Sequence, residues 1–153
     1  MFVHLRLHTE FSVVDSTCRI DDVIAAAAKD GQAALAITDV SNLFGALKFY
    51  KQARGKGIKP ILGADVVLEG LGGDATALTR MVLLVQNKQG YLNLSELLAR
   101  AFTQNVVKNQ AVVKLAWLRE LGEGLIALSG AQAGAVGQAL VQGDAARAAD
   151  LAL

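Results

Sequence analysis

Residues 34–66 read ALAITDVSNLFGALKFYKQARGKGIKPILGADV. The stretch opens on a short continuous apolar run, Ala34 to Thr38, as expected of a strand covered on both faces. SNLFGALKFYKQARGKG follows with a helical period. Leu43, Ala46, Leu47 and Tyr50 form its stripe, Ser41 or Asn42 can cap it, and Gly57 can end it. IKPILGADVVL then reads as a second strand with Pro60 at its start, where a missing N–H does least harm. Strand, helix and strand in that order predict a parallel pair with a crossover helix, and hence an α/β fold.

The flanks repeat the pattern. Upstream, VHLRL (Val3 to Leu7) alternates strictly and predicts a strand with Val3, Leu5 and Leu7 on one face. IDDVIAAAAKDG predicts a helix with Ile20, Val23, Ile24 and Ala27 in one stripe, Asp21 and Asp22 at its N-terminus and Gly31 as its stop. Downstream come a loop (LGGDATALT), a strand (RMVLLVQ) and a helix (KQGYLNLSELLARAF) with Leu94, Leu97, Leu98 and Ala101 on one side. GLIALSG is a further strand, ended by Gly130, and AGAVGQALVQGD and AARAADLAL are helical. The order β-α-β-α-β-β-α-β-α predicts parallel strands with outer helices, either as an open doubly wound sheet or as part of a barrel. The last helix has no stop signal, so the chain is expected to be cut from something longer.

Composition narrows the class. A length of 153 residues matches about one domain, and 53% apolar residues supply a core. A formal charge of +1 gives no general electrostatic argument for gripping nucleic acid or a membrane. Cys18 is the only cysteine, which excludes a disulfide framework and a thiolate metal cage and fits a reducing, cytoplasmic setting. No signal peptide is expected from these first residues, and no apolar run comes near the ~18 residues of a membrane span. No glycine-rich phosphate loop precedes a helix; GADVVLEGLGG has the glycines but not the helix.

His4 and His8, the only histidines, share the predicted strand with Arg6. In a strand these three point the same way. At a barrel's carboxyl rim His8 would meet Asp39, which follows ALAIT, and Asp65 from the next strand. Two carboxylates and an imidazole from three strand ends would suit a divalent metal or a phosphate. Each residue also has a plainer role. A strand-end histidine is more often a hydrogen-bonded structural group, Asp39 can cap the following helix, and Asp65 can be an ordinary polar strand end. Asp15 and Glu10 can be surface charges, and Trp117 and Phe102 suit packing better than ligand binding.

FVHLRLHTEFSVVDS, the 34–66 block, NKQGYLNLSELLARAF and LGEGLIALSG together resemble the N-terminal PHP (polymerase and histidinol phosphatase) domain of bacterial DNA polymerase III alpha subunits, in order over nearly the whole chain. The resemblance implies a distorted barrel of parallel strands with outer helices, of which residues 1–153 are the first part, truncated before the barrel closes. Palm, fingers and thumb would lie beyond it, together with the magnesium site of DNA synthesis, so no catalytic residue is expected here. Active members of the family bind metals and hydrolyse phosphoesters. Their His-x-His motif falls on Arg6 and His8, with Asp15 at the acidic loop position. Thr-Asp-His falls on Thr38-Asp39-Val40, and the glutamate after Lys-Pro-Ile-x-Gly falls on Asp65.

Those departures predict a degenerate site at His4, Arg6, His8, Asp15, Asp39, Val40 and Asp65. Arg6 has no lone pair and stays protonated. Val40 has no donor atom. Asp65 is a methylene short of glutamate, about 1–1.5 Å of reach, which exceeds the tolerance of a metal site. No metal is therefore expected, and Arg6 is expected to neutralise Asp15, Asp39 and Asp65 instead. The function implied is a scaffold within the replicative polymerase and a docking site for its proofreading exonuclease (epsilon) subunit, with other holoenzyme subunits and DNA met through the rest of the chain. The alternative is a metal-dependent phosphoesterase or 3'-5' exonuclease with an altered ligand set, His8, Asp15, Asp39 and Asp65, and Arg6 on a substrate phosphate.

Overall fold

The computed structural model describes residues 2–71 and 77–152; most of the loop read in LGGDATALT lies outside them. The chain divides into two compact units, Met1–Ala64 and Asp65–Leu153.

The first unit holds α1 (Ile20–Lys29), β1 (Ala34–Ile37), α2 (Ala46–Gly55) and the start of β2 (Lys59–Glu69). β1 and β2 pair in parallel, Ala34 with Lys59 through Ile37 with Leu62, as the strand-helix-strand pattern requires. Ile20, Ile24, Ala27, Leu35, Ile37, Phe49, Ala53 and Ile58 form the buried core, and Leu7, Phe11 and Val23 pack against it. Gly45 lets that core close. A β-carbon there would lie 2.9–3.1 Å from Phe11, Ile20 and Ile37.

Two expectations in this unit are corrected. α2 begins at Ala46, so a stripe counted from Leu43 is anchored on a residue outside the helix. Ala46, Phe49 and Ala53 face the core, whereas Leu47 and Tyr50 lie outward. Asn42 is not a helix cap: its side chain accepts from Phe44 N and donates to Phe11 O and Val40 O. VHLRL is not a regular strand. Ala36 N donates to His4 O and Thr38 N to Leu7 O, so three residue steps on one segment oppose two on β1. The extra residue breaks the period of two, and Leu5 is exposed instead of sharing an inward face with Val3 and Leu7.

The second unit contains the end of β2, β3 (Leu78–Val85), α3 (Lys88–Gln104), β4 (Val106–Val107), β5 (Gln110–Lys114), α4 (Leu115–Glu120), β6 (Leu125–Leu128), a 3-10 turn (Ala131–Ala133), α5 (Ala135–Val141) and α6 (Ala145–Ala152). Strand order there is β4-β5-β2-β3-β6. β2 and β5 run parallel, and the sheet is open, in keeping with the α/β expectation. It also carries antiparallel pairs, β3 with β6 and β4 with β5. The β4–β5 hairpin was not foreseen. Its turn residues Lys108 and Asn109 both have positive φ, and a two-residue turn of that kind can join only antiparallel strands.

α3 buries the expected Leu94, Leu97, Leu98 and Ala101 and packs on β5 and β3. Phe102 lies off that stripe and is exposed, so it does not pack as expected, whereas Trp117 is half-buried beneath Lys114. Among the described residues no helix is long and apolar enough to cross a membrane.

Candidate functional site

The segment HTEFS, residues 8–12, turns at the carboxyl end of β1 and gives each polar side chain a fixed partner. Asp39 is 1% exposed. Its Oδ1 accepts from Thr9 N at 2.6 Å and from Ser12 Oγ at 2.7 Å, and its Oδ2 accepts from Thr9 Oγ1 at 2.8 Å. Ser12 Oγ also accepts from Val40 N at 3.0 Å. Asp39 is thus not a helix cap. Three donors hold the carboxylate, and they tie the 9–12 turn to the end of β1.

His8 Nδ1 pairs with Asp15 Oδ2. Asp15 is thus paired with His8, and Asp39 with Thr9 and Ser12. Arg6 and His4 are exposed, and Val40 is half-buried. Asp65 belongs to the second unit, is fully buried, and accepts from Arg80 Nε at 2.9 Å. Arg80 was not among the residues singled out in the sequence. A cation two residues into RMVLLVQ's strand gives no pattern signal of its own. Thr9 and Ser12 were equally unforeseen as holders of Asp39, because hydroxyls in a turn usually bond locally.

Glu10, expected as a surface charge, has a structural role. Its Oε2 accepts from Ile20 N, the first residue of α1, at 2.8 Å, and its Oε1 accepts from Lys48 Nζ at 3.4 Å. Partial burial raises the Glu10 carboxyl, but the backbone N–H groups of Glu10 and Ile20 and the Lys48 ammonium outweigh it and hold it below its ordinary value. A depressed carboxyl stabilises the fold above its unfolded value and stops doing so as pH falls through its folded value. Glu10→Gln is therefore expected to lower stability by about 1 kcal/mol near neutrality. The melting-temperature gap from the parent should shrink as pH drops below about 4, as urea or thermal melts across pH would read. A gap that is constant with pH would remove the charge from the explanation.

At the two positions where the resemblance implies histidines, Arg6 and Val40 offer no lone pair; Asp39 accepts three hydrogen bonds from Thr9 and Ser12, and Asp15 pairs with His8. Among the described residues no group of three or more histidine, cysteine, aspartate and glutamate side chains is disposed to hold an ion.

A family model of the PHP domain matches residues 4–153. The DNA polymerase III subunit alpha of Pseudomonas aeruginosa is 46% identical over 147 residues, 96% of this chain and 12% of that protein. The Escherichia coli K12 protein of the same name is 42% identical over 146 residues, 95% of this chain and again 12% of that protein. The chain therefore spans about one-eighth of the length of these curated relatives. Among solved structures, an amidohydrolase of Chromobacterium violaceum with bound sulfate aligns with 65% of the chain and 32% of its own, at 21% identity and a TM-score of 0.48.

Proposed function

The chain belongs to the PHP domain family, and from that premise we propose that it is a non-catalytic scaffold within a bacterial replicative DNA polymerase alpha subunit, serving as a docking surface for the proofreading exonuclease. DNA synthesis, its magnesium and the contacts with DNA and the other holoenzyme subunits then belong to the rest of that polypeptide. The observation that carries this reading is the state of Asp39. The carboxylate of the Thr-Asp-His position is buried and accepts three hydrogen bonds from Thr9 and Ser12, while Arg6 and Val40 stand where the resemblance implies imidazoles. A hydrolytic site needs donors free to bind an ion, and here the chemistry of the set has turned from ligation to tethering. The relatives' shared name, DNA polymerase III subunit alpha, supports the replicative setting.

The test is bound metal. The chain and its Arg6→His/Val40→His variant are incubated with manganese and zinc, dialysed, and counted for ions by elemental mass spectrometry. The parent is expected to retain none, and the variant to gain some. A stoichiometric ion in the parent would overturn the scaffold reading in favour of a phosphoesterase with a rebuilt ligand set. The docking half is tested separately by whether the chain co-elutes with the exonuclease subunit on gel filtration.

A further inference from the structure

The whole-chain charge hides a local excess. Residues 40–64 carry Lys48, Lys51, Arg54, Lys56 and Lys59 and no aspartate or glutamate, whereas the full chain balances 15 cations against 14 acids. Lys48 is neutralised by Glu10 and Asp21, at 3.4 and 3.5 Å. Among the described residues the other four have no carboxylate partner.

Two of them line one groove of about 510 Å³, between the end of α2 and the start of β2, together with Tyr50, Gly57 and Pro60. The groove lies wholly in the first unit and shares no residue with the HTEFS turn. The Arg54 guanidinium sits over the Tyr50 ring, 5.7 Å from its centroid, and Nη1 donates to the Tyr50 hydroxyl at 3.1 Å. That bond uses one of five guanidinium donors and fixes the plane of the rest. Lys59 opens β2 with its N–H bound to Ala33 O and its side chain exposed. Lys51, one helical turn before Arg54, and Lys56, just after α2, flank the pair in sequence. A cation held on an aromatic face beside a second cation is the combination that takes a phosphate and an unstacked base together. A merely solvated lysine face would have neither the groove nor the aromatic ring held by Arg54.

We propose that this groove binds a nucleotide unit, its phosphate on Arg54 and Lys59 and its base on the Tyr50 ring. The unit comes either from a single strand or from a free nucleotide. This site is separate from the scaffold reading and does not depend on it.

The test is fluorescence polarisation of the chain with a labelled oligothymidylate over a salt series, with ATP as competitor. Arg54→Gln/Lys59→Gln should weaken binding about tenfold near 50 mM salt and reduce the salt slope by about 1.4. Lys29→Gln/Arg119→Gln, which removes the same charge elsewhere, should do much less. On the parent itself, NMR shifts on titration should centre on the amides of Ala33, Gly57 and Lys59, which keeps the site falsifiable if a variant fails to fold. ATP that displaces the strand at equal phosphate concentration would identify a free nucleotide as the ligand, and ATP that does not would identify the strand. No binding at low salt, equal loss in the two double variants, or shifts centred elsewhere would overturn the proposal.

Discussion

Asp39→Ala is expected to lower stability by about 3–5 kcal/mol and the melting temperature by roughly 10 °C. The substitution leaves Thr9 N, Thr9 Oγ1 and Ser12 Oγ without their acceptor in a place that water does not reach. Each stranded donor costs its desolvation, about 1–3 kcal/mol, and the turn then no longer ties to β1. Asp39→Asn should behave differently. Its remaining oxygen can keep the two bonds that Oδ1 now accepts, and the Thr9 hydroxyl can rotate to accept from the new amide, so the expected loss is about 1 kcal/mol. A metal ligand would show the opposite bias: Asn would abolish ion binding while leaving the apo fold intact. Thermal melts of both variants decide it. If Asn destabilises as much as Ala, the charge itself is needed, and the tether account is wrong.

The contrast between the legible and the illegible parts of the sequence follows from the range of the forces involved. Ile20, Ile24 and Ala27 could be placed from spacing alone because an amphipathic helix writes its buried face into consecutive residues. β1 and β2 were equally plain, as apolar runs flanked by turn residues. The N-terminal segment failed for a reason that spacing cannot carry. Its register depends on Thr38 Oγ1 accepting from Leu7 N, a bond 31 residues apart that takes the place of a ladder bond and shifts the alternation. His4, Arg6 and His8 therefore do not share the simple strand face assumed for them. Motif positions named the candidate residues, but they said nothing about partners. That Asp39 belongs to Thr9 and Ser12, Asp15 to His8, and Asp65 to Arg80 is tertiary information. The β4–β5 hairpin did have a local signal: VVKNQAVV places an asparagine between two short β-branched runs, and the length of the neighbouring helix masked it.

Gly90→Ala is expected to cost more than about 3 kcal/mol, enough to shift the melt by roughly 10 °C or to prevent folding. The position lies in the first turn of α3, where alanine would ordinarily help a helix. Here the new β-carbon would stand 1.9 Å from the carbonyl oxygen of Gly124, a backbone atom. That carbonyl cannot swing away, because it accepts from Gln86 N at 2.9 Å, a bond that extends the β3–β6 ladder past the Val85–Leu125 pair. The helix cannot retreat easily either. Asn87 Oδ1 caps it through Gly90 N at 2.9 Å, and Asn93 Nδ2 donates to Glu123 O at 2.9 Å. Gly124 is locked from its own side, with φ at +74° and no room for a side chain against Asn87 and Gly90. The two glycines thus let the start of α3 touch the turn before β6, backbone to backbone. Gly55→Ala is the matched control: it ends α2, meets nothing within 4 Å, and should be neutral or stabilising by up to about 1 kcal/mol. Should Gly90→Ala melt within a few degrees of Gly55→Ala, the close approach of α3 to the Gly124 turn is not a constraint on this fold.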